Sequence, residues 1–279
     1  AKSLNQAVLG AVNARSDLPV IASLGGKENT ALTLTAKQSG AWGNDIALDV
    51  QSTAKGVTAT VTAMQGGENN ADIQPALDCF GDISSAAFLI AAATLVENSN
   101  IIIKNVGINP TRSGILEILD KMGGNIKVYN KRTVNNEPIG DIEIKYSPLK
   151  GCVIEGDIVG RLIDELPIVA VLAALAEGET TIRDAEELRY KETDRIKAMA
   201  LELRKMGVEI KELSDGMIIN GVKELRAEEL NSYGDHRIAM ALSIAALRAE
   251  GKSFINGSEI VNVSYPDFYK DLNYLVGNI

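Results

Sequence analysis

The sequence predicts an α/β chain: three repeated α/β units with buried helices, preceded by a small β-rich segment. Three observations predict it. Gly-Asp recurs at Gly81-Asp82, Gly156-Asp157 and Gly234-Asp235, spaced 75 and 78 residues apart, each time ahead of a helical run. Those runs (84–97, 167–177 and 237–250) are Ala-rich and apolar around most of the helix, the mark of a helix buried on all sides. Residues 1–77 have a different composition, rich in Ala, Thr, Gly and Asn, and they hold the single Trp and none of the seven Tyr. A boundary is expected at 77–80, dividing a segment 1–77 from a larger piece 78–279.

In the first piece, Ala31-Leu-Thr-Leu-Thr-Ala36, Ile46-Ala-Leu-Asp-Val50 and Val57-Thr-Ala-Thr-Val-Thr-Ala63 alternate with period two. Rich in Val, Leu and Thr, they read as short antiparallel strands. Gly40-Ala-Trp-Gly-Asn-Asp45 is a turn, and 63–72 is a loop ahead of the boundary.

In the second piece each apolar helix ends in its own way, the first at Asn98-Ser-Asn100 and the others at Gly178 and Gly251, placed as C-caps. A short strand follows at 100–106, 180–183 and 253–256, then an amphipathic helix at 111–122, 193–206 and 267–275. Strand pairs come next, 125–129 with 141–146 and 208–213 with 217–219, the second joined by the Ser214-Asp-Gly216 turn. The third unit lacks its strand pair, and the first begins at its helix with no strand before it. Repeats of one supersecondary unit close a shared core, so the apolar helices are expected in the middle with the strands outside.

Composition narrows the function. The chain is 46% hydrophobic and 23% charged, with mean hydropathy +0.03, a formal charge of −9 and a pI near 4.9. Nucleic acid and anionic membranes are excluded as main partners. Cys79 and Cys152 form neither a metal-ligand spacing nor a disulfide framework, and one His argues against zinc. No phosphate loop or dinucleotide fingerprint is present, so no cofactor is expected. Neither the first ten residues nor 166–176, broken by Pro167, supplies a signal peptide or a span, and a cytoplasmic protein is expected.

Arginines at helix starts oppose the helix dipole and are locally unfavourable. Three such starts carry one: Asn109-Pro-Thr-Arg112, Lys191-Glu-Thr-Asp-Arg195 with Thr193 as N-cap, and Gly234-Asp-His-Arg237 with Asp235 as N-cap. Lys191, Arg195 and Arg237 together form an anion site with the helix tips. Arg112 reads as an ordinary surface pair. Of the carboxylates, Asp164 and Glu192 are the candidates for proton transfer, Glu192 lying directly beside Lys191. Glu165 reads as a cap. His236, the only histidine, reads as structural or as a hydrogen-bond donor. The chemistry that emerges is acid/base work on a small anionic substrate.

Two resemblances complete the reading. Leu32-Thr-Leu-Thr35, Gly40-Ala-Trp-Gly-Asn-Asp-Ile46, Gly56-Val-Thr-Ala-Thr-Val-Thr62 and Ala71-Asp-Ile-Gln-Pro-Ala-Leu77 resemble a fragment of Mu-like phage tail sheath proteins over residues 24–77. By itself that would imply a structural tail component without catalysis. Gly81-Asp-Ile-Ser-Ser-Ala-Ala-Phe88, Asn105-Val-Gly-Ile-Asn-Pro-Thr-Arg112, Leu162-Ile-Asp-Glu-Leu-Pro167, Asp184-Ala-Glu-Glu-Leu-Arg-Tyr-Lys-Glu-Thr-Asp-Arg-Ile196 and Asp235-His-Arg-Ile-Ala-Met240 resemble the EPSP synthase family along 81–279.

The second resemblance implies one lobe of the enolpyruvyl transferase fold. It implies transfer of an enolpyruvyl group from phosphoenolpyruvate to shikimate 3-phosphate, in aromatic amino acid biosynthesis, without a cofactor. It assigns Asp164, Lys191 and Glu192 to catalysis and Arg195, His236 and Arg237 to substrate binding. It also implies incompleteness. Lys2-Ser3 is present, but Ala7 stands where the family's early motif has Arg, and the contacts of the other lobe are absent. A chimeric chain of weak or no turnover is expected, self-associating through its cut edge.

Overall fold

A computed structural model describes residues 20–25, 31–36, 76–78, 81–134 and 136–276. The chain divides into two units between Ile73 and Gln74. The strands expected at 46–50 and 57–63, the turn at 40–45, the loop at 63–72 and Cys79 lie outside the described residues.

In the first unit, β1 (Val20–Gly25) and β2 (Ala31–Ala36) pair antiparallel, from Val20 opposite Ala36 to Gly25 opposite Ala31. The second of these was expected from its alternation. The first was not, because Val20 and Ile21 stand side by side and break the period of two.

The second unit opens with β3 (Ala76–Asp78), which runs through α1 (Ile83–Leu95) to β4 (Asn100–Gly107), parallel to it. This corrects the expectation that the first repeat starts at its helix. Three residues are too few to show a period, so the strand was unreadable. After α2 (Gly114–Lys121), the antiparallel strands β5 (Asn125–Val134) and β6 (Glu137–Lys145) complete a sheet ordered β3-β4-β6-β5.

The next stretch repeats the pattern. β7 (Val153–Ile154) leads through the short α3 (Asp157–Gly160) and α4 (Leu166–Ala174) to the parallel strand β8 (Glu179–Ile182). Then come α5 (Arg195–Lys205), β9 (Glu209–Leu213) and β10 (Gly216–Asn220), giving the sheet order β7-β8-β10-β9.

The third stretch holds β11 (Leu225–Arg226), β12 (Glu229–Asn231), α6 (His236–Ala246), β13 (Ala249–Glu250), β14 (Phe254–Asn256) and α7 (Phe268–Val276). β12 and β14 again pair in parallel around a helix, but among the described residues no hairpin joins them.

The core is built from the crossover helices α1, α4 and α6, which touch one another. Every residue of α1 except Ser85 is buried, and so is all of α4. Small Ala side chains let the three backbones approach, while Phe88, Leu89, Ile90, Leu172 and Leu242 supply apolar bulk. Each such large side chain contributes about 1.5–3 kcal/mol on burial. Phe88 meets Phe268 edge-on, centroids 6.1 Å apart, which ties α7 to α1.

The Gly-Asp repeats have a common backbone cause. Gly81, Gly156 and Gly234 all sit at φ between +71° and +74°, where a side chain is strained. Asp82 and Asp235 then cap α1 and α6. Gly156-Asp157 instead opens α3, and a 3-10 turn at Ile163–Glu165 intervenes before α4.

Helix ends differ from expectation too. α4 and α6 stop at Ala174 and Ala246, several residues ahead of Gly178 and Gly251. These glycines, at φ +90° and +103°, turn the chain into the following strand rather than cap the helix.

Candidate active site

The N-terminal tips of α1, α4 and α6 carry Asp82, Asp164-Glu165 and Asp235, and α5 begins beside them at Arg195. Asp235, fully buried, accepts hydrogen bonds from the backbone N–H of Arg237 at 2.8 Å and of Ile238 at 3.4 Å. Asp82 accepts from the backbone of Ser84 and Ser85 in the same way. At α5 the cap is Asp194, which accepts from the Lys197 N–H at 3.0 Å, and not Thr193 as the sequence suggested. Asp194 also pairs with Arg189 at 2.7 Å, which orients it.

Arg195 is 1% exposed and meets three carboxylates. Its Nε donates to Asp235 Oδ2 at 2.7 Å, Nη2 to Glu192 Oε2 at 2.7 Å, and Nη1 to Asp164 Oδ1 at 3.3 Å. Arg237 approaches Asp164 from α6. Its Nη1 donates to the Asp164 carbonyl at 3.2 Å, and its Nη2 lies 3.7 Å from Asp164 Oδ2. Lys191 Nζ lies 3.8 Å from Asp164 Oδ1 and bonds Glu187 on its other side. Asp164 is therefore the hub on which Lys191, Arg195 and Arg237 converge.

All six residues singled out in the sequence are brought together here, with altered partnerships. Glu192 pairs with Arg195 three residues on, and Lys191 pairs with Glu187 and Asp164. His236 opens α6 next to Asp235 and Arg237. Burial pushes its imidazole below the ordinary 6.5; Asp235 opposes that shift and Arg237 adds to it. Burial alone disfavours the imidazolium.

Three residues of this neighbourhood escaped the sequence reading in whole or part. Glu165 occupies the N-cap position of α4 but makes no capping bond, which corrects its reading as a cap. Ser84 on α1 stands by its carboxyl and favours the charged form. Arg112 does pair with Asp82, at 3.7 Å, but its Nη2 also donates to Ser84 Oγ at 3.1 Å, so it reaches the site through Ser84. The signal was the recurrence itself: the first Gly-Asp is followed by a buried serine, and a buried serine needs a partner.

Carboxylates outnumber cations here by one. Lys191, Arg195 and Arg237 face Asp164, Glu187, Glu192 and Asp235. An incoming anion must therefore displace carboxylates. Glu187 and Glu192 are the ones free to swing away, their side chains 64% and 48% exposed. Helix tips add the field of their dipoles to these cations. A separate 650 Å³ cavity lies at the opposite ends of the core helices, bordered by Leu95, Ala176 and Arg248, and holds none of these six residues. No helix among the described residues is long and apolar enough to cross a membrane.

The chain is similar to known proteins. The family model for EPSP synthase (3-phosphoshikimate 1-carboxyvinyltransferase) matches residues 48–272. The 3-phosphoshikimate 1-carboxyvinyltransferase of Thermoanaerobacter sp. (strain X514) is 55% identical over 195 residues, 70% of this chain and 46% of that protein. Its counterpart in Synechococcus sp. (strain JA-3-3Ab) is 44% identical over 236 residues, 85% of this chain and 51% of that protein. A solved EPSP synthase from Acinetobacter baumannii superposes with a TM-score of 0.68 at 44% identity, covering 70% of this chain and 45% of that one. The enolpyruvyl transferase NikO from Streptomyces tendae, 23% identical with a TM-score of 0.55, shares the fold. The chain spans about half the length of the curated relatives it matches.

Proposed function

The chain belongs to the EPSP synthase family, and on that premise we propose that it carries one lobe of a site for enolpyruvyl transfer from phosphoenolpyruvate to shikimate 3-phosphate. The observation that carries the reading is the meeting of Arg195 and Arg237 on Asp164, at 3.3 and 3.7 Å. Guanidiniums from two helix tips, gathered on one carboxylate beside Lys191, suit a ligand with several anionic groups.

Arg237 and Lys191 are the cations open to phosphoenolpyruvate. Arg195 joins them once the ligand replaces Glu192 on Nη2. That exchange frees the Glu192 carboxyl beside the bound enolpyruvyl group, where proton transfer to and from its methylene carbon is needed. The reaction adds the shikimate hydroxyl to C2 and a proton to C3 of phosphoenolpyruvate. It then expels phosphate and removes a proton from C3. Asp164 receives the hydroxyl proton, and Lys191 stands between the two reactants. His236 supports the binding face. Holding both reactants in register needs walls on both sides, so this chain alone turns over slowly or not at all, and a complementary lobe restores activity.

A β-rich segment 1–77 ahead of a lobe 78–279, a cytoplasmic location and self-association belong to the same proposal. The sheath-like reading of the N-terminal segment is proposed for residues 24–47 alone, since the family match takes in 48 onward. Calorimetric titration with phosphoenolpyruvate and shikimate 3-phosphate tests the function, with R237A as the control. No heat from either ligand in the wild-type chain would refute it.

A further inference from the structure

Glu165 is 3% exposed, yet one of its oxygens, Oε1, has no hydrogen-bond partner among the described residues. Buried carboxylate oxygens are ordinarily bonded, so an orphan asks what it faces. It faces Arg237, whose Nη1 lies 3.7 Å away. That nitrogen already donates to the Asp164 carbonyl, and Nη2 points to Asp164 Oδ2 from 3.7 Å. The guanidinium thus stands between two carboxylates, near enough to be oriented and too far to have its N–H groups used up. From the α1 side, Arg112 donates to Ser84, and Ser84 favours the charged form of the Glu165 carboxyl.

We propose that Glu165 is a positioning residue for Arg237, its unpaired Oε1 supplying the counter-charge that holds the guanidinium at the tips of α4 and α6. The proposal deepens the anion-binding reading of Arg237 and rests on it. The polar and charged groups facing Glu165 are Ser84 on α1, Arg112 ahead of α2, the neighbouring Asp164 and Arg237 on α6. Burial is the largest influence and raises the carboxyl above 4.5; Ser84, Arg237 and Arg112 oppose it and Asp164 adds to it. Protonation removes the counter-charge, so Arg237 loosens as the pH falls through that raised range.

The test follows the Arg237 side-chain Nε–Hε signal by nitrogen NMR in the full chain, across pH, in wild type and E165Q. The wild-type signal is expected to inflect above pH 4.5 and the E165Q signal to stay flat. Phosphoenolpyruvate is expected to bind E165Q about tenfold more weakly, with no fall in melting temperature. S84A keeps the test open if E165Q fails to fold: losing the hydroxyl moves the inflection to higher pH. Identical pH curves in wild type and variant would overturn the positioning role. An inflection lost in E165Q, with no response of Arg237 to phosphoenolpyruvate in either protein, would leave positioning standing and sink the anion-binding reading. Equal ligand affinity in wild type and E165Q would do the reverse.

Discussion

Arg195 Nε lies 2.7 Å from Asp235 Oδ2, while Oδ1 of the same carboxylate accepts the Arg237 backbone N–H at 2.8 Å. One fully buried carboxylate thereby joins the start of α5 to the tip of α6. Removing one partner of such a pair leaves the other charge buried and uncompensated, which costs about 3–5 kcal/mol. Arg195→Ala is expected to lose that much stability in urea unfolding with an unchanged slope. A variant of wild-type stability would show that Asp235 is held by other means. Loss of ligand binding in R195A is for this reason no test of ligand contact.

Arg237 is the cleaner probe. Its side chain donates only to the Asp164 carbonyl, and its other carboxylate neighbours lie at 3.7 Å. Arg237→Ala is expected to cost about 1–3 kcal/mol, less than Arg195→Ala, because it leaves the buried Glu165 carboxyl without its facing cation. Phosphoenolpyruvate affinity should fall ten- to a hundredfold, the worth of about 1.5–3 kcal/mol for hydrogen bonds to a charged group. Calorimetry and melting curves on one preparation separate the two effects. Unchanged affinity would place the ligand elsewhere.

His236 gives a pH signature. Its folded-state pKa is lowered below 6.5, chiefly by burial. The unfolded chain therefore takes up the proton first, so stability falls as pH drops through 6.5 and levels off once the folded state is also protonated. Replacing it as His236→Asn should flatten that part of the melting-temperature curve and leave the curve above pH 7 in place. Parallel curves for the two proteins would rule out His236 as its source.

How far the sequence could be read follows from the length of each signal. α1, α4 and α6 were legible because nine or more residues share one apolar character. The strand pair β9–β10 was legible from its turn. β3 and β7, of three and two residues, carry no period and emerge only through pairing with β4 and β8. Arg195 and Arg237 stood out because arginine at a helix start is locally unfavourable, and Lys191, Glu192 and His236 lie within four residues of them. Glu165 was misread because a carboxylate at a helix start is ordinarily a cap; the cation it faces, Arg237, lies 72 positions along the chain, which no local pattern encodes. Which carboxylate meets which cation was equally out of reach, since Arg195 finds Asp235 across 40 residues.

Glu202, fully buried on α5, is satisfied by Lys205 Nζ at 2.8 Å, the Asn231 N–H at 3.1 Å and the Tyr233 hydroxyl at 2.6 Å. This network holds the segment that leads into Asp235, with Tyr233 at φ +54°. Burial and Glu202 push the Tyr233 phenol up to about 12. Tyr233→Phe leaves a buried carboxylate short of one donor and is expected to cost about 1–3 kcal/mol. In a tyrosinate absorbance titration, the phenol lost in the variant should be among the last to ionise. If it ionises with the exposed tyrosines, the hydrogen bond to Glu202 does not persist in solution.

The third sheet predicts the chain's behaviour at high concentration. β4 and β8 are each flanked by a parallel strand on one side and a hairpin strand, β6 or β10, on the other. β14 has β12 on one side, and among the described residues no strand on the other. An open edge offers unpaired N–H and C=O groups to another chain. An apolar side chain lies on it: Phe254 on β14 is 67% exposed. A second copy presenting the same edge would satisfy both, pairing β14 with β14. Light scattering is expected to give a mass that rises with concentration. Phe254→Lys places a charge on the edge and should return the particle to one copy, whereas Tyr190→Lys, altering a side chain 77% exposed and far along the chain from β14, should not. A wild-type chain that stays monomeric at every concentration would mean that this edge is already covered.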